Sequence, residues 1–347
     1  MSDMKSSKRT GILREGWTAH VNDYAIGCDW GLNGDVLVVC DALGDIKAFN
    51  GKSGKLLWGF TAIHDNGPLA TSVNPEGSLI ATAGQDGNVF IWDLSSGICA
   101  KKFKIGSGWI EHLSWSQDGK YLAATCSRNV HVINTEGKEI WKSESHPSTV
   151  SAIEWSKKNE LATACYGRVA FYDVKSSKIS QKLEWKGSLV SMVLSPDGDI
   201  VACGSQDNSV HFWRRSTASD SMMSGYPGKP SSLDFDHSGT LLATGGGEIV
   251  TVWSFQNSGP EGTRPGQLEL HSKPISCLSF APRGKQLASG SRDGTVVVWS
   301  LKNDGDGDAV GAAMMTDQVS DVSWRPDGRA LAAADGKGQV TTWRINK

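Results

Sequence analysis

Apolar residues in this chain come in short runs cut by polar turns rich in Gly, Pro, Asp and Asn, and no run sustains the 3.6-residue period of an amphipathic helix. The runs recur in a fixed order. A first run closes on an aromatic or apolar residue at Trp30, Val73, Trp115, Trp155, Leu194, Phe235, Phe280 and Trp324, spaced 43, 42, 40, 39, 41, 45 and 44 residues apart. A turn such as Asn74-Pro-Glu-Gly77 or Ser195-Pro-Asp-Gly198 follows, in which Pro presets φ and Gly supplies the position with φ above zero. Next come a run of small and apolar residues (Leu79-Ile-Ala-Thr-Ala83, Leu241-Leu-Ala-Thr-Gly245) and a second tight turn (Gln85-Asp-Gly87, Arg292-Asp-Gly294). A third, alternating run ends in an aromatic (Val89-Phe-Ile-Trp92, Val296-Val-Val-Trp299), and a polar turn then opens a weaker fourth run.

Four short strands per unit cannot bury both faces of their sheet, so successive units must stack. The termini indicate a closed ring. The last unit stops at Trp343-Arg-Ile-Asn-Lys347, straight after its third strand, whereas Trp17 precedes Trp30 by the same interval that separates Phe60 from Val73. The N-terminal segment therefore has the register of the missing fourth strand. The expected fold is all-β: an eight-bladed β-propeller of four-stranded antiparallel blades over residues 10–347, closed by an N-terminal strand over 10–19 that completes the last blade. Blades are expected to begin near residues 23, 66, 107, 147, 187, 229, 272 and 316, behind a disordered tail over 1–9.

Composition narrows the class further. Forty glycines in 347 residues suit a chain of tight turns, and 14 Trp suit large packing anchors. A formal net charge of −2 with 21% charged residues lacks the basic excess of a nucleic-acid binder, and Lys101-Lys102, Lys157-Lys158 and Arg214-Arg215 fall in different units, so no nucleic-acid partner is expected. No apolar stretch is long enough to span a membrane, and the first ten residues contain no apolar segment of a secretory signal. Seven cysteines, widely spaced and without a C-x-x-C pair, point to buried free thiols in a cytoplasmic chain.

With the repeat in view, the sequence resembles the WD40-repeat family from about Thr10 to Lys347. Trp92-Asp93 matches the dipeptide that gives the family its name, and Tyr172-Asp173 is close to it. The resemblance implies a structural hydrogen-bond set of His, Ser or Thr, Asp and Trp: His271, Ser289, Asp293 and Trp299 in the seventh unit, and His64, Thr82, Asp86 and Trp92 in the second. In the fifth, Asp207 and Trp213 remain, while Cys203 stands at the hydroxyl position and Trp185 at the His position. The other five units lack the turn Asp and are expected to rely more on packing. Ser289, His271 and Asp293 imitate a catalytic triad, but the arrangement recurs at Thr82 and no G-x-S-x-G turn is present, so no catalytic residue is assigned.

Two other stretches could carry chemistry. Asn303-Asp-Gly-Asp-Gly-Asp308 alternates carboxylates as a calcium loop does, yet it lacks the glycine at the sixth position and the Glu at the twelfth, so it is expected to be an acidic loop without metal. Ala48-Phe-Asn-Gly-Lys-Ser-Gly-Lys-Leu-Leu-Trp58 and its echo ending at Trp141 are similar to the tryptophan-docking repeats of quinoprotein dehydrogenases. Adjacent cysteines and further docking repeats, which that family shows, are absent, and no cofactor is expected. The remaining expectation is a non-enzymatic scaffold or adaptor that binds a protein or peptide on the loop rim of the ring. The rim candidates are Tyr24, Gln85, Trp109, Trp185, Gln206 and Arg292, chosen from positions six residues before each anchor, before the turn aspartates, or at the replaced His. A quinoprotein-like oxidoreductase or a structural subunit of a larger assembly are the alternatives.

Overall fold

The computed structural model describes residues 11–257 and 259–346; the tail expected over 1–9, together with Thr10, Ser258 and Lys347, lies outside them. The described residues form eight antiparallel sheets over 25–60, 68–104, 113–142, 152–188, 193–223, 232–268, 275–314 and 319–345, here called blades 1 to 8. Within blades 1 to 7 the strands lie side by side in chain order. First strands of adjacent blades touch and line a central channel, and fourth strands form the outer wall. Blade 8 takes its outer strand from the N-terminus: Leu13–His20 pairs antiparallel with Gln339–Ile345, with Leu13 opposite Ile345 and His20 opposite Gln339. Blade 4 differs in detail. Its second and third strands run together as Leu161–Asp173, bending at Gly167, whose φ is +83°. The first part pairs with the inner strand and the second with the outer strand Lys178–Ser188.

The apolar core does not lie inside any blade. It forms eight layers, one at each joint between neighbours. At the joint of blades 2 and 3, for example, Ala81, Val89 and Ile91 meet Trp115, Leu122 and Ile133. This explains the small, apolar second strands: each is covered on both faces by other blades and has no solvent side to decorate. Fourth strands have one, and the outer strand Cys99–Lys104 is exposed along almost its whole length. Cys99 is therefore exposed, contrary to the expectation of uniformly buried thiols; the other six cysteines are buried and all seven are free. The acidic stretch near Asn303 is a tight turn between the third and fourth strands of blade 7, in which Asp306 N–H donates to Asp304 Oδ1, and Asp308 already belongs to the strand Gly307–Met314.

Each joint is also pinned by hydrogen bonds between first strands. Where a blade's anchor is Trp, its indole N–H donates to a backbone carbonyl of the preceding blade: Trp30 to Ser323 (3.0 Å), Trp115 to Ser72 (2.9 Å), Trp155 to Ser114 (3.0 Å) and Trp324 to Ser279 (2.9 Å). Where the anchor is Val73, Leu194 or Phe280, the preceding blade supplies a carboxylate instead. Thr71 Oγ1 donates to Asp29 (2.8 Å), Leu194 N–H to Glu154 (2.9 Å) and Phe280 N–H to Asp234 (2.6 Å). Asp321 adds a second clasp by accepting Cys28 N–H at 2.9 Å. The remaining joint, before Phe235, is bridged by Ser191 Oγ donating to the Pro230 carbonyl at 2.8 Å.

Two outer-wall tryptophans repeat the device. Trp17 donates to the Gly51 carbonyl and lies against Gly54; Trp58 donates to the Leu94 carbonyl and lies against Gly97. A Cβ on either glycine would come within 2.6 Å of the ring, and both have φ near +70°, so only glycine fits. The stretch ending at Trp58 is thus a blade joint.

The carboxylate clasps have a cost that depends on pH. Burial pushes Glu154 up to about 8 and Asp234 and Asp321 up to about 7, and raises Asp29 as well. These values exceed the ordinary unfolded values near 4. The stability the groups contribute is therefore full below about pH 4 and is lost as pH rises through 7 to 8. Glu154→Gln keeps an acceptor for Leu194 N–H and cannot ionise. Its melting temperature should exceed that of the wild type at about pH 8, by on the order of 2 °C per kcal/mol recovered, with the gain shrinking toward about pH 5. An equal difference at both pH values would mean that the folded ring holds Glu154 ionised.

Candidate functional site

The buried polar sets come first, because they decide whether the ring carries a reaction centre. In blade 2, His64 Nδ1 meets Asp86 at 3.0 Å and its Nε2 meets Thr82 Oγ1 at 3.1 Å, while the Trp92 indole donates to the same hydroxyl at 3.2 Å. In blade 7, His271 Nε2 meets Ser289 Oγ at 2.7 Å and Trp299 donates to it at 2.8 Å. Asp293 does not bond His271 directly there. Thr295 Oγ1 stands between them, 2.5 Å from His271 Nδ1 and donating to Asp293 at 2.5 Å. Burial pushes both imidazoles down, whereas hydrogen bonds hold the Asp86 and Asp293 carboxyls low. Ser289 has no exposed surface and already accepts an indole N–H, so its hydroxyl cannot reach a substrate.

Three of the expectations for the other blades need correction. In blade 5, Asp207 is exposed and caps its own turn through Ser209 (Oγ to Oδ1, 2.6 Å), so it forms no set with Trp213. With Cys203 at the hydroxyl position, no strong acceptor awaits the ring. Trp185, at the replaced His position, is half-buried and stacks on His211 at 3.8 Å, with His211 edge-on to Trp213 at 4.3 Å. Nor do blades 4 and 6 rely on packing alone. His146 bonds Thr163 (3.0 Å), Tyr172 (3.3 Å) and the Arg128 carbonyl (3.0 Å), while Tyr226 bonds Thr244 (2.8 Å) and receives the Trp253 indole (2.7 Å). Tyr226 stands 18 residues before Thr244, the interval from His64 to Thr82, so the spacing carried a signal that residue type concealed. In blades 1 and 8 a buried Asp at the end of the second strand organises the loops: Asp335 accepts from Thr316, Asp317, Lys337 and Gln339, and Asp41 from Asn22, Leu43 and Asp45.

The rim is built from the turns between second and third strands and the loops that join blades. Trp109 is 55% exposed on such a loop, and its backbone is fixed on both sides, with Ile105 N–H donating to the Gly87 carbonyl and Ile110 N–H to the Gly84 carbonyl. Gln206 and Arg292 are exposed and Gln85 and Tyr24 half-buried in the same set of turns and loops. Burial raises the Tyr24 hydroxyl, and the nearby Arg292 charge works against that shift, which puts these two residues from blades 1 and 7 within electrostatic reach. Leu43, exposed in a turn of blade 1, and Tyr166, exposed beside the bend at Gly167 in the long strand of blade 4, are additional large apolar residues. Leu43 was detectable as an apolar residue inside a polar turn, but that turn lacks the Asp used for alignment. Inside the rim the channel opens into a recess of about 460 Å3 lined by residues that include Thr71, His112, Ser191 and Asp321.

The two kinds of polar residue should behave oppositely in denaturant unfolding. Ser289→Ala leaves His271 and Trp299 without their shared partner and should cost about 2 kcal/mol. Asp207→Ala, at an exposed turn, should cost under about 0.5 kcal/mol. Equal losses would mean that blade 5 does contain a buried set.

The geometry agrees with what sequence comparison finds. The family model "WD domain, G-beta repeat" matches residues 58–93, 97–134, 178–214 and 262–300. Each match starts within or just before a fourth strand and ends on the third strand of the next blade, the stagger by which the N-terminus closes blade 8. Similar proteins include Actin-interacting protein 1 of Caenorhabditis elegans, 26% identical over 319 residues, covering 88% of this chain and 50% of that protein. Target of rapamycin complex subunit wat1 of Schizosaccharomyces pombe is 25% identical over 236 residues, covering 65% and 75%. Serine-threonine kinase receptor-associated protein of Gallus gallus is 22% identical over 279 residues, covering 79% and 67%. The chain spans about half the length of the first of these. The crystal structure of the computationally designed Ika8 protein superposes with a TM-score of 0.82 at 18% identity, over 96% of this chain and 100% of that one, a likeness of fold. The chain thus carries four matched WD repeats, each straddling one joint of an eight-bladed β-propeller.

Proposed function

We propose that the chain is a non-enzymatic interaction scaffold whose loop rim holds a protein or peptide partner. The observation that carries this reading is Trp109: a large aromatic ring exposed to solvent on a loop whose backbone is fixed on both sides, and so presented without an ordering cost. Arg292 and Tyr24 at another sector of the rim, together with the exposed Leu43 and Tyr166, supply the aromatic, Arg and aliphatic contacts common at interface centres. The relatives support the reading by their names, which describe an actin-interacting protein, a complex subunit and a receptor-associated protein. The buried, mutually satisfied Ser289 and Thr82 sets speak against reading them as catalytic triads, and the use of Trp58 as a joint speaks against the quinoprotein-like alternative. Among the described residues no helix is long and apolar enough to cross a membrane. The free thiols favour a cytoplasmic compartment.

The double variant Trp109→Ala, Arg292→Ala tests this. Both side chains are exposed, so the melting temperature should stay near that of the wild type, while partners recovered by quantitative pull-down should bind at least about tenfold more weakly. Unchanged affinity for every recovered partner, with the fold intact, would remove the rim from the function.

A further inference from the structure

A second surface, containing none of the rim candidates, lies on the outer wall where blade 3 meets blade 4. A cleft of about 630 Å3 opens there between the outer strands Glu139–Lys142 and Lys178–Ser188. Register explains its composition. Tyr172 pairs with Ile179, Ala170 with Lys182 and Arg168 with Glu184, so Arg168, Tyr172, Ile179 and Lys182 share the face of blade 4 that looks toward blade 3. The Trp141 ring forms part of the opposite wall, 5.0 Å from Tyr172.

The cleft is strongly basic within a chain that is slightly acidic overall. Lys142, Arg168, Lys178 and Lys182 line it against a single carboxylate, Glu144, and none of the four cations forms an ion pair among the described residues. Even Glu184, directly across the strand pair from Arg168, does not engage it. The Arg168 Nε is buried with no hydrogen-bond partner. Its inner neighbours offer no countercharge, because burial raises the Tyr172 hydroxyl and the Cys165 thiol and lowers His146. A buried guanidinium donor left unsatisfied is expensive, and its planar fork fits a carboxylate. The strand Lys178–Ser188 is also the free edge of its sheet, with a row of backbone groups open to pairing.

We propose that this cleft docks an acidic, extended segment of a partner protein, whose carboxylates meet Arg168, Lys142 and Lys182 while its apolar residues lie against Ile179, Trp141 and Tyr172. The free edge and the apolar walls favour a polypeptide over a small anion. This surface is separate from the rim and stands whether or not the rim binds a partner.

The test uses the full chain and a fluorescein-labelled octapeptide of alternating Glu and Val, with a Lys-Val octapeptide as control, followed by fluorescence anisotropy. The acidic peptide should bind, the basic one should not, and added salt should weaken the complex. Lys142→Gln, Lys182→Gln, a double variant of exposed side chains, and Arg168→Gln should each weaken binding at least about tenfold. The rim variant Trp109→Ala, Arg292→Ala should bind the peptide as the wild type does. Equal binding by the folded lysine double variant, equal binding of the basic peptide, or loss of binding in the rim variant would each overturn the proposal. So would failure of the acidic peptide to bind while inorganic phosphate or phosphatidylserine vesicles bind through the same lysines.

Discussion

The ring depends on how one first strand is fastened to the next. A blade of four short strands has two apolar faces and cannot exist alone, so its stability is that of its two joints. Packing across a joint is non-directional and would allow blades to slide or tilt. The hydrogen bond between first strands removes that freedom at the narrowest radius, where a small angular error per blade would accumulate around eight blades.

Two chemistries meet this requirement at seven of the eight joints, and the anchor decides which one is used; the joint before Phe235 uses Ser191 instead. The residue before an anchor is Ser where the next anchor is Trp, as at Ser72, Ser114, Ser279 and Ser323, and acidic where the next anchor is Val73, Leu194 or Phe280, as at Asp29, Glu154 and Asp234, while Val193 stands before the joint that Ser191 bridges. An indole brings its own donor and needs only a carbonyl, so a small residue suffices opposite it. Val, Leu and Phe bring no donor, and an acceptor long enough to reach a backbone N–H or a hydroxyl must come from the preceding blade. The indole clasps are neutral and insensitive to pH, whereas the acidic ones place ionisable groups in a poorly solvated wall. One ring thus contains pH-independent and pH-dependent joints.

With the framework held from inside, the two ends of each blade are free for other uses. The His, Ser or Thr and Trp sets are buried and bonded to one another, and they fix the rim loops from below. The outer wall is mostly charged edge strands, and the joint of blades 3 and 4 differs because a third-strand Arg168 turns into the gap and lacks a partner.

Much of this was legible in the chain. Period, turn chemistry and the register of Trp17 determined the all-β class, eight blades and closure by the N-terminal strand, because these depend on local hydrophobic alternation and on counting strands. The sequence also located the hydrogen-bond sets of blades 2 and 7. It did not reveal that Thr295 separates His271 from Asp293, that Tyr226 replaces a His, that Asp207 faces solvent, or that Trp185 stacks on His211. Those outcomes depend on distances across strands and between blades, which residue spacing along one strand does not encode. The same holds for the carboxylates of the channel wall and for the basic cleft. Their residues are scattered through the sequence among ordinary surface positions, and only ring closure, by bringing neighbouring sheets face to face, decides which charges meet a partner and which are left without one.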